Sequence, residues 1–270
     1  TKRVGHTGTL DPFATGVMVI LIGRATRLAQ FLDKDEKEYE ALISFGYETD
    51  TGDRTGAPRS GRQIPGAEII ERLGVIEWDE VLGPVLGESE QTPPMYSAKK
   101  IDGKKLYEHA RRGETVERKA VQINISSIRL LETYSSEVKI TVACSAGTYI
   151  RALAEDIGRK VGIGAHLTEL RRTRAGRFEI SEAVSLGQLD ELQDPHSKMM
   201  PMELAVLHLP EITISADRVD KTRSGLSTRV GGSSFLDGEV VRMLGENGDL
   251  IAIGVYDESE NSVRPKVVLI

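Results

Sequence analysis

The stretch GHTGTLDPFATG, residues 5–16, is followed directly by the apolar run VMVILIG, residues 17–23. Glycines permit tight backbone paths in the first stretch, and Pro12 restricts the backbone further. The apolar run predicts a strand over 17–22 that is covered on both faces. Asp11 would then be held at the mouth of a buried strand. An aspartate before a proline is also typical of a simple turn, and this motif alone leaves both interpretations open.

The composition is that of a globular protein. A chain of 270 residues can form one large domain or one large and one small domain, and we expect two unequal units. Its longest apolar stretches fall short of the roughly 20 residues that a membrane helix needs. The single cysteine, Cys144, cannot form an internal disulfide, and the chain lacks zinc-like His/Cys spacing. These features predict a soluble protein of a reducing cytoplasm, without a structural metal.

The charge distribution is uneven. A net charge of −6 argues against a nucleic-acid partner, because polyanion binding usually needs a positive surface. However, residues 99–119 and 151–177 each carry a balance of +4, which leaves about −14 for the rest of the chain. Such clustering predicts RNA-binding faces on an otherwise acidic body. Solvated charged faces without a partner are the alternative.

Hydrophobic periodicity predicts both strands and helices. In YEALISFG, residues 39–46, alternate positions are apolar, which predicts a strand whose buried face begins at Tyr39. The segment from Thr148 to Val161 has a helical period, with Thr148 as its N-cap and Gly162 after its end. Shorter helices are predicted over 25–34 and 67–73, strands over 121–133 and 137–146, and a long surface loop over 49–66.

Arg151 falls in the first turn of the predicted helix. A cation there opposes the helix dipole by roughly 0.3–1 kcal/mol, so an offsetting anion is expected nearby. That anion would be a carboxylate such as Asp11, or a phosphate. An arginine that simply points into water is the alternative.

Further motifs follow the opening stretch in a specific order. Together with it they resemble the bacterial TruB-type tRNA pseudouridine synthases, and the resemblance covers essentially the whole chain. We note that relatives begin with a stretch carrying a KPxGxTS-like motif that is missing here, so Thr1 is expected to start a fragment or the ordered region. The segments that carry the resemblance are GHTGTLDPFATG (5–16), KEYEA (37–41), TDTGDRTG (49–56), PPMYSAKKIDGKKLYEHARRGE (93–114), CSAGTYIRALAEDIG (144–158) and GAHLTELRRTRAGRF (164–178).

The resemblance implies an α+β fold in two domains. Residues 1–205 would form a catalytic domain of pseudouridine synthase type, with a mixed, mostly antiparallel sheet and flanking helices. Residues 206–270 would form a small RNA-binding β-barrel of PUA type. The sequence pattern agrees, because short apolar segments separated by Gly, Asn and Asp turns follow Leu207 and predict an all-β part.

The basic segment over 92–119 resembles the mobile thumb that this family places over its RNA stem-loop. Lys99 and Lys100 lie near Tyr96 and Tyr107, and such a mixture of cations and rings is typical of sites that hold phosphates and bases. An exposed basic hairpin with its tyrosines packed inward is the alternative.

The resemblance assigns catalytic roles to Asp11, Tyr39 and Arg151. Asp11 is the aspartate on which the reaction depends, and Arg151 is expected to hold the pKa of that carboxyl down despite its burial. Tyr39 would stack on the flipped uracil and help to remove the proton from C5. An ordinary aromatic side chain in the core is the alternative for Tyr39.

Four further residues are implied to meet the substrate. His6 would fill the gap that the flipped base leaves, although a hydrogen-bonded histidine in a glycine turn is equally consistent with its position. Tyr149 and Leu170 would line the base pocket, whereas a leucine alone is more typical of a core. Asp53 would hold the hinge of its loop or contact RNA.

The implied function is isomerisation of uridine to pseudouridine in the T loop of tRNA, at position 55, by a monomer. This chemistry needs neither a metal nor an organic cofactor, and the sequence carries no Walker loop or dinucleotide fingerprint. The alternatives are a guide-RNA-dependent relative, an RNA-binding or RNA-folding protein without turnover, and a hydrolase with Asp53 as its second acid.

Overall fold

A computed structural model of the chain describes residues 1–59, 64–101, 103–231 and 234–270. Residues 60–63 of the predicted surface loop and residue 102 of the predicted thumb therefore lie outside the described residues. Within the described part, no helix is both long and apolar enough to cross a membrane. The chain divides into two compact units: the first comprises Thr1–Thr7, Val19–Asp33 and Val184–Ile270, and the second comprises Gly8–Met18 and Lys34–Ala183.

The chain has mixed α+β content. Short 3-10 turns occur at Gly23–Leu28, Gly83–Val85, Ile180–Glu182 and Pro195–Lys198. The helices are α1 Ala29–Leu32, α2 Gly66–Gly74, α3 Trp78–Leu82, α4 Leu106–Ala110, α5 Ile150–Val161, α6 Leu186–Glu191, α7 Met202–Ala205 and α8 Ala216–Arg223. The strands are β1 Val4–His6, β2 Thr15–Gly16, β3 Ile20–Ile22, β4 Lys37–Phe45, β5 Gly87–Gln91, β6 Lys100–Ile101, β7 Lys104–Lys105, β8 Val121–Thr133, β9 Glu137–Cys144, β10 Ala165–Ala175, β11 Phe178–Glu179, β12 Glu211–Ile214, β13 Thr228–Arg229, β14 Val240–Gly245, β15 Leu250–Asp257 and β16 Ser262–Val268.

A seven-stranded sheet forms the frame of the second unit. Its main order is β11-β10-β4-β9-β8-β5, and the short strand β2 also pairs with β10. The β2–β10 pairing is parallel and the other pairings are antiparallel. The predicted mixed, mostly antiparallel sheet is therefore present in this unit.

Strand β4 is the centre of the core and has the predicted alternation. Its odd-numbered residues are buried and its even-numbered residues are only partly buried. The buried face, from Tyr39 to Phe45, packs with strand β9 and with helix α5 in one apolar cluster. Complete burial of one such aliphatic side chain contributes about 1.5–3 kcal/mol, so this alternation fixes which face of the sheet the helix covers.

Helix α5 begins later than the sequence indicates. The predicted N-cap, Thr148, lies in the preceding turn, and Tyr149 occupies the N-cap position without a side-chain cap. Instead, the carboxamide of Gln91 accepts a hydrogen bond from the backbone N–H of Tyr149 at 2.8 Å and donates one to its carbonyl at 3.0 Å. A side chain from a distant strand thus holds the N-cap residue in place. The other end agrees with the prediction, because Gly162 follows the helix with φ of 81°.

The predicted strand over 17–22 is present only at Ile20–Ile22, and the prediction that it is covered on both faces is wrong. Val17 instead ends a loop by donating its N–H to the carbonyl of Arg172, and β3 begins only at Ile20. Strand β3 pairs with β1 alone in a two-stranded sheet. Its residues Ile20 and Ile22 are 48% and 39% exposed, so the apolar run is not covered on both faces. Continuous apolarity did not distinguish a buried strand from a ribbon with one covered face.

The C-terminal part of the first unit contains a curled five-stranded sheet. Its order is β12-β14-β15-β16-β13, with β12 parallel to β14. Helix α8 packs beside β15 and β16, so the all-β prediction for this part is wrong. The sequence of α8 gives little signal because few of its residues, such as Thr222, are buried. The closed PUA-like barrel and the domain boundary at residue 205 stay predictions.

Candidate active site

Asp11 and Arg151 form a two-point ion pair in the second unit. The Nε of Arg151 donates to Oδ2 of Asp11 at 2.9 Å, and Nη2 donates to Oδ1 at 3.0 Å. Only 4% of the Arg151 side chain is exposed, whereas 31% of the Asp11 side chain is exposed. Parallel N–H···O bonds of this kind fix both the position and the orientation of a carboxylate. The structure therefore brings together the two residues that the sequence places 140 positions apart.

The Arg151 guanidinium donates four hydrogen bonds. Besides Asp11, it donates through Nη1 to the carbonyl of Thr51 and through Nη2 to the carbonyl of Tyr96, both at 2.8 Å. Nη1 also lies 3.6 Å from Oδ2 of Asp53, as an ion pair. Because guanidinium has five donors in a rigid fork, this set of partners holds the side chain in one orientation.

Asp53 braces the loop that surrounds Arg151. Its Oδ1 accepts hydrogen bonds from the hydroxyl of Thr51 at 2.9 Å, and from the N–H and hydroxyl of Thr55 at 2.9 and 2.5 Å. The side chain is buried. Of the two predicted roles of Asp53, this environment favours the hinge of the loop over contact with RNA.

The pKa of Asp11 is raised above its usual value. Burial is the largest cause, and the negative charge of Asp53 adds to it, while the charge and hydrogen bonds of Arg151 act in the opposite direction. Arg151 therefore lowers this pKa, as expected, but its effect does not outweigh that of burial. The pairing limits the rise but does not cancel the desolvation of the carboxylate.

Tyr39 and Leu170 lie on the core face of the sheet. Tyr39 on β4 pairs with Arg172 on β10, and Leu170 pairs with Ala41 in the same register. Burial raises the pKa of Tyr39, Arg172 opposes this rise, and the charge of Asp11 adds to it. A raised pKa means that Tyr39 is a neutral phenol near pH 7.

The remaining predicted site residues differ in location and in exposure. Tyr149 is half-buried at the N-terminus of α5. Lys99 and Lys100 lead into the β6–β7 hairpin, where Lys100 pairs with Lys105. His6 is exposed on β1 and belongs to the first unit, whereas Asp11 belongs to the second. The roles of these residues, like those of the residues above, stay predictions.

The two basic segments differ in their structure. In 99–119, the side chains of Lys105 and Arg111 lie 5.4 and 5.2 Å from the ring centre of Tyr107, as cation–π pairs. In 151–177, several cations are not available as a basic surface, which corrects the expectation drawn from charge counts alone. Arg151 and Arg172 are buried, Arg159 pairs with Glu48, Glu155 and Asp156, and Arg174 pairs with Glu36.

Arg172 is a residue of this site that sequence reasoning missed. It is 2% exposed, and it donates from Nε to the carbonyl of Val17 at 2.7 Å and from Nη2 to the carbonyl of Gly8 at 3.1 Å. One signal was available in the sequence. Leu170 and Arg172 are two residues apart on a strand, so an inward leucine implies an inward arginine.

Comparison with known proteins places this site in a family. A family model described as "TruB family pseudouridylate synthase (N terminal domain)" matches residues 1–150, and one described as "tRNA pseudouridylate synthase B C-terminal domain" matches residues 151–207. A protein of Aromatoleum aromaticum named tRNA pseudouridine synthase B is 41% identical over 266 residues, which cover 98% of this chain and 82% of the relative. A protein of Solibacter usitatus with the same name is 39% identical, with 100% and 91% covered.

Solved structures share the fold at lower identity. The structure described as "Crystal Structure of a Cbf5-Nop10-Gar1 Complex" has a TM-score of 0.71 and 28% identity, and the match covers 100% of this chain and 77% of that chain. The structure described as "Structure of H/ACA RNP bound to a substrate RNA containing 2'-deoxyuridine" has a TM-score of 0.70 and 26% identity, with the same coverage. The second unit and its sheet therefore have the pseudouridine synthase fold.

Proposed function

The chain belongs to the TruB family of pseudouridylate synthases, and from this membership we propose that it converts uridine 55 in the T loop of tRNA to pseudouridine. Its activity as a tRNA pseudouridine synthase follows from relatives of that name that are 36–46% identical. The T loop as target and the roles of individual residues are the proposed parts. The target is proposed from the family membership, and the single observation that carries the residue roles is the two-point pairing of Asp11 with the buried Arg151.

The reaction rearranges one nucleoside without a net change in atoms. The bond between C1′ and N1 of the uridine breaks, the base turns, and a bond between C1′ and C5 forms, after which C5 loses its proton and N1 gains one. The base must leave its stack first, at a cost of a few kcal/mol that contacts in the pocket offset. Because substrate and product are isomers, the reaction consumes no redox equivalent and no activated donor.

Asp11 supplies the reacting carboxylate. Its partly exposed side chain can meet a nucleoside, while the buried Arg151 holds both carboxylate oxygens in a fixed orientation. Such preorganisation removes most of the entropic cost of aligning the reacting groups. The raised pKa of Asp11 also makes the carboxylate a stronger base and nucleophile than one in water.

Tyr39 transfers the proton that leaves C5. As a neutral phenol it cannot accept that proton without releasing its own, so it acts as a relay. We assign the final acceptance of this proton to the Asp11 carboxylate. The ring of Tyr39 and the side chain of Leu170 share the core face of adjacent strands, and we assign to them the two sides of the flipped base.

We assign RNA binding to two further parts of the chain, the basic segment over 92–119 and the C-terminal part. Lys99, Lys100 and the cation–π pairs around Tyr107 provide phosphate-binding and stacking groups in the first of these. His6 and Tyr149 complete the contacts to the flipped nucleotide. We further assign a PUA-like role to residues 206–270, a monomeric state, and a cytoplasmic location, where tRNA is processed and a single buried cysteine stays reduced.

Two alternatives are weaker. A guide-RNA-dependent enzyme is disfavoured because the relatives named for tRNA, at 36–46% identity, resemble this chain more than the structural relatives at 26–28%, one of which is an H/ACA RNP. A hydrolase needs a second acid that activates water, but the Asp53 carboxylate is buried and already accepts hydrogen bonds from Thr51 and Thr55.

The test is incubation of the chain with unmodified tRNA that carries tritium at C5 of its uridines. Isomerisation releases this label, and mapping of the carbon-linked base should place it at one T-loop uridine. Tight binding without label release would support an RNA-binding protein and overturn the proposal. Release of free uracil would indicate a hydrolase, and modification that requires an added guide RNA would indicate the guide-dependent class.

A further inference from the structure

Arg172 forms hydrogen bonds with both ends of the loop that carries Asp11. Its Nε donates to the carbonyl of Val17, after the aspartate, and its Nη2 donates to the carbonyl of Gly8, before it. The carbonyl of Arg172 also accepts the N–H of Val17 at 2.8 Å. A single residue of β10 therefore closes the base of the loop through three hydrogen bonds.

Gly16 permits the close approach of Arg172 to the loop. A Cβ atom on Gly16 would lie 2.1 Å from the carbonyl oxygen of Arg172, and one on Gly8 would lie 3.5 Å from its Nη1. Both glycines have positive φ, at +103° and +143°. Gly16 is thus required by the contact with Arg172 as well as by its own backbone conformation.

Arg172 also faces the tyrosine of the site. In the β4–β10 register Arg172 is the partner of Tyr39, and its charge and hydrogen bonding lower the pKa of that phenol against the effect of burial. The other groups whose charges act on Tyr39 are Asp11, in the loop, and Cys144, on β9. Arg172 is therefore in contact with the main chain on both sides of Asp11 and electrostatically coupled to Tyr39.

A purely structural role accounts poorly for a charge at this position. A buried guanidinium loses its hydration, and apolar residues of similar volume often stabilise a core as well or better. The adjacent inward residue of β10, Leu170, shows that this face accepts an aliphatic side chain. What an aliphatic side chain could not do at position 172 is donate to the two loop carbonyls and present a cation to Tyr39.

We propose that Arg172 is a positioning residue for the reaction, which fixes the Asp11 loop against the phenol of Tyr39. The proposal rests on the proposed function, because it assigns a reaction to these two groups. A displacement of about 1 Å between reacting groups can cost on the order of 10²-fold in rate. Loss of Arg172 is therefore expected to slow the chemical step without weakening RNA binding.

The test compares Arg172→Met, Arg172→Lys and the control Arg174→Met in the full chain. Arg174 lies on the same strand and pairs with Glu36, so its loss removes an arginine and an ion pair without touching the Asp11 loop. Single-turnover rates are measured with unmodified tRNA at saturating enzyme, together with the Kd for that RNA and circular dichroism at the assay temperature. The pKa of Tyr39 is obtained as the difference between ultraviolet titrations of each protein and its Tyr39→Phe counterpart.

We expect Arg172→Met to lower the single-turnover rate by about 10²-fold, with the Kd for RNA changed less than about threefold. Arg172→Lys should lose about tenfold, because it keeps the charge near Tyr39 but lacks the fork that reaches both carbonyls. The pKa of Tyr39 should rise in the Met variant and stay nearly unchanged in the Lys variant. Arg174→Met should keep the parent rate.

Parent-like single-turnover rates in folded Arg172 variants would overturn the proposal, as would a loss explained wholly by weaker RNA binding. If Arg172→Met does not fold, Arg172→Lys decides, and a rate within about twofold of the parent in that variant would refute the positioning role. Failure of the parent chain to isomerise uridine would instead refute the proposed function, so the two failures are distinguishable.

Discussion

Arg151 is buried while Asp11, the carboxylate that it holds, keeps 31% of its side chain exposed. The cation is therefore enclosed in the interior of the protein, whereas the anion is partly accessible from solvent. Because the other donors of Arg151 are directed to the carbonyls of Thr51 and Tyr96, the pair also joins the loop that carries Asp11 to two further segments. The partners of one guanidinium thus determine where the reacting oxygen atoms lie.

Replacement of Arg151 should impair chemistry more than binding. Arg151→Lys keeps the charge but cannot make two parallel hydrogen bonds to Asp11, so we expect single-turnover rates to fall by about 10²-fold or more. Arg151→Met should be worse and should also lose stability, by about 1–3 kcal/mol, because buried acceptors lose their donors. Rapid-quench assays and urea unfolding measure the two effects. Arg159→Lys, on the exposed face of the same helix, is the matched control. Equal effects of the two Lys variants on rate would contradict this account.

The pH dependence should follow the raised pKa of Asp11. Activity requires the ionised carboxylate, so kcat/KM should decline as the pH falls through a pKa higher than that of an ordinary aspartate. Arg151 opposes the rise, so Arg151→Met should move this acidic limb to still higher pH. An acidic limb that lies at the ordinary aspartate pKa, or that does not respond to Arg151, would disagree with the geometry.

The same shift has a stability consequence of defined sign. A carboxyl whose pKa is raised by folding binds its proton more tightly in the folded state, so its contribution to stability falls as pH rises from the ordinary aspartate pKa through the raised one. Asp11→Asn removes this titration. The free energy of unfolding of Asp11→Asn minus that of the parent should therefore increase with pH across that window. Urea titrations at several pH values measure this difference, and a decrease would show that the pKa is lowered.

Tyr39→Phe tests the proton relay. The variant keeps the ring and its packing, so the fold and RNA affinity should be retained. Removal of the hydroxyl should slow loss of the C5 proton enough to make it rate-limiting. A substrate deuterated at C5 should then react more slowly than unlabelled substrate with the variant, but not with the parent. An equal isotope effect for both proteins would exclude Tyr39 from this step.

Gly16→Ala should be among the most damaging small substitutions. Its Cβ would lie 2.1 Å from the carbonyl oxygen of Arg172, at a backbone φ of +103°. The loop must shift, so we expect loss of activity and a destabilisation of more than about 1 kcal/mol. Gly74→Ala is the control, because a Cβ there meets open space at the end of α2. Thermal unfolding and label release are measured for both variants. Losses confined to Gly16→Ala would show that the collision with Arg172, rather than alanine substitution in general, is the cause.

The sequence predicted those parts of the fold that depend on local patterns. The alternation of β4 placed Tyr39 on the buried face correctly, and the helical period with Gly162 located α5 to within two residues. The N-cap residue, Tyr149, was missed because the carboxamide that binds its backbone, that of Gln91, comes from a distant strand. Long-range hydrogen bonds of this kind leave no local signature.

The interior arginines show the same limit. Charge counts assigned residues 151–177 to a basic surface. In the structure, two arginines of this segment, Arg151 and Arg172, are buried in the interior. A count of charges carries no information about burial, and only the inward neighbour Leu170 marks the position of Arg172. The net direction of the Asp11 pKa shift could not be read from the sequence for a related reason, since it depends on how desolvation compares with pairing at one site.

Asp11→Asn provides the most direct measurement of the central claim, that the Asp11 carboxylate carries out the isomerisation. Equal amounts of parent and variant are mixed with C5-tritiated, unmodified tRNA, and bound RNA and released label are measured in the same samples. Asp79→Asn, exposed on α3, serves as the control. We expect Asp11→Asn to bind the RNA about as tightly as the parent while its label release falls to background. Release by Asp11→Asn at a rate near that of the parent would contradict the account.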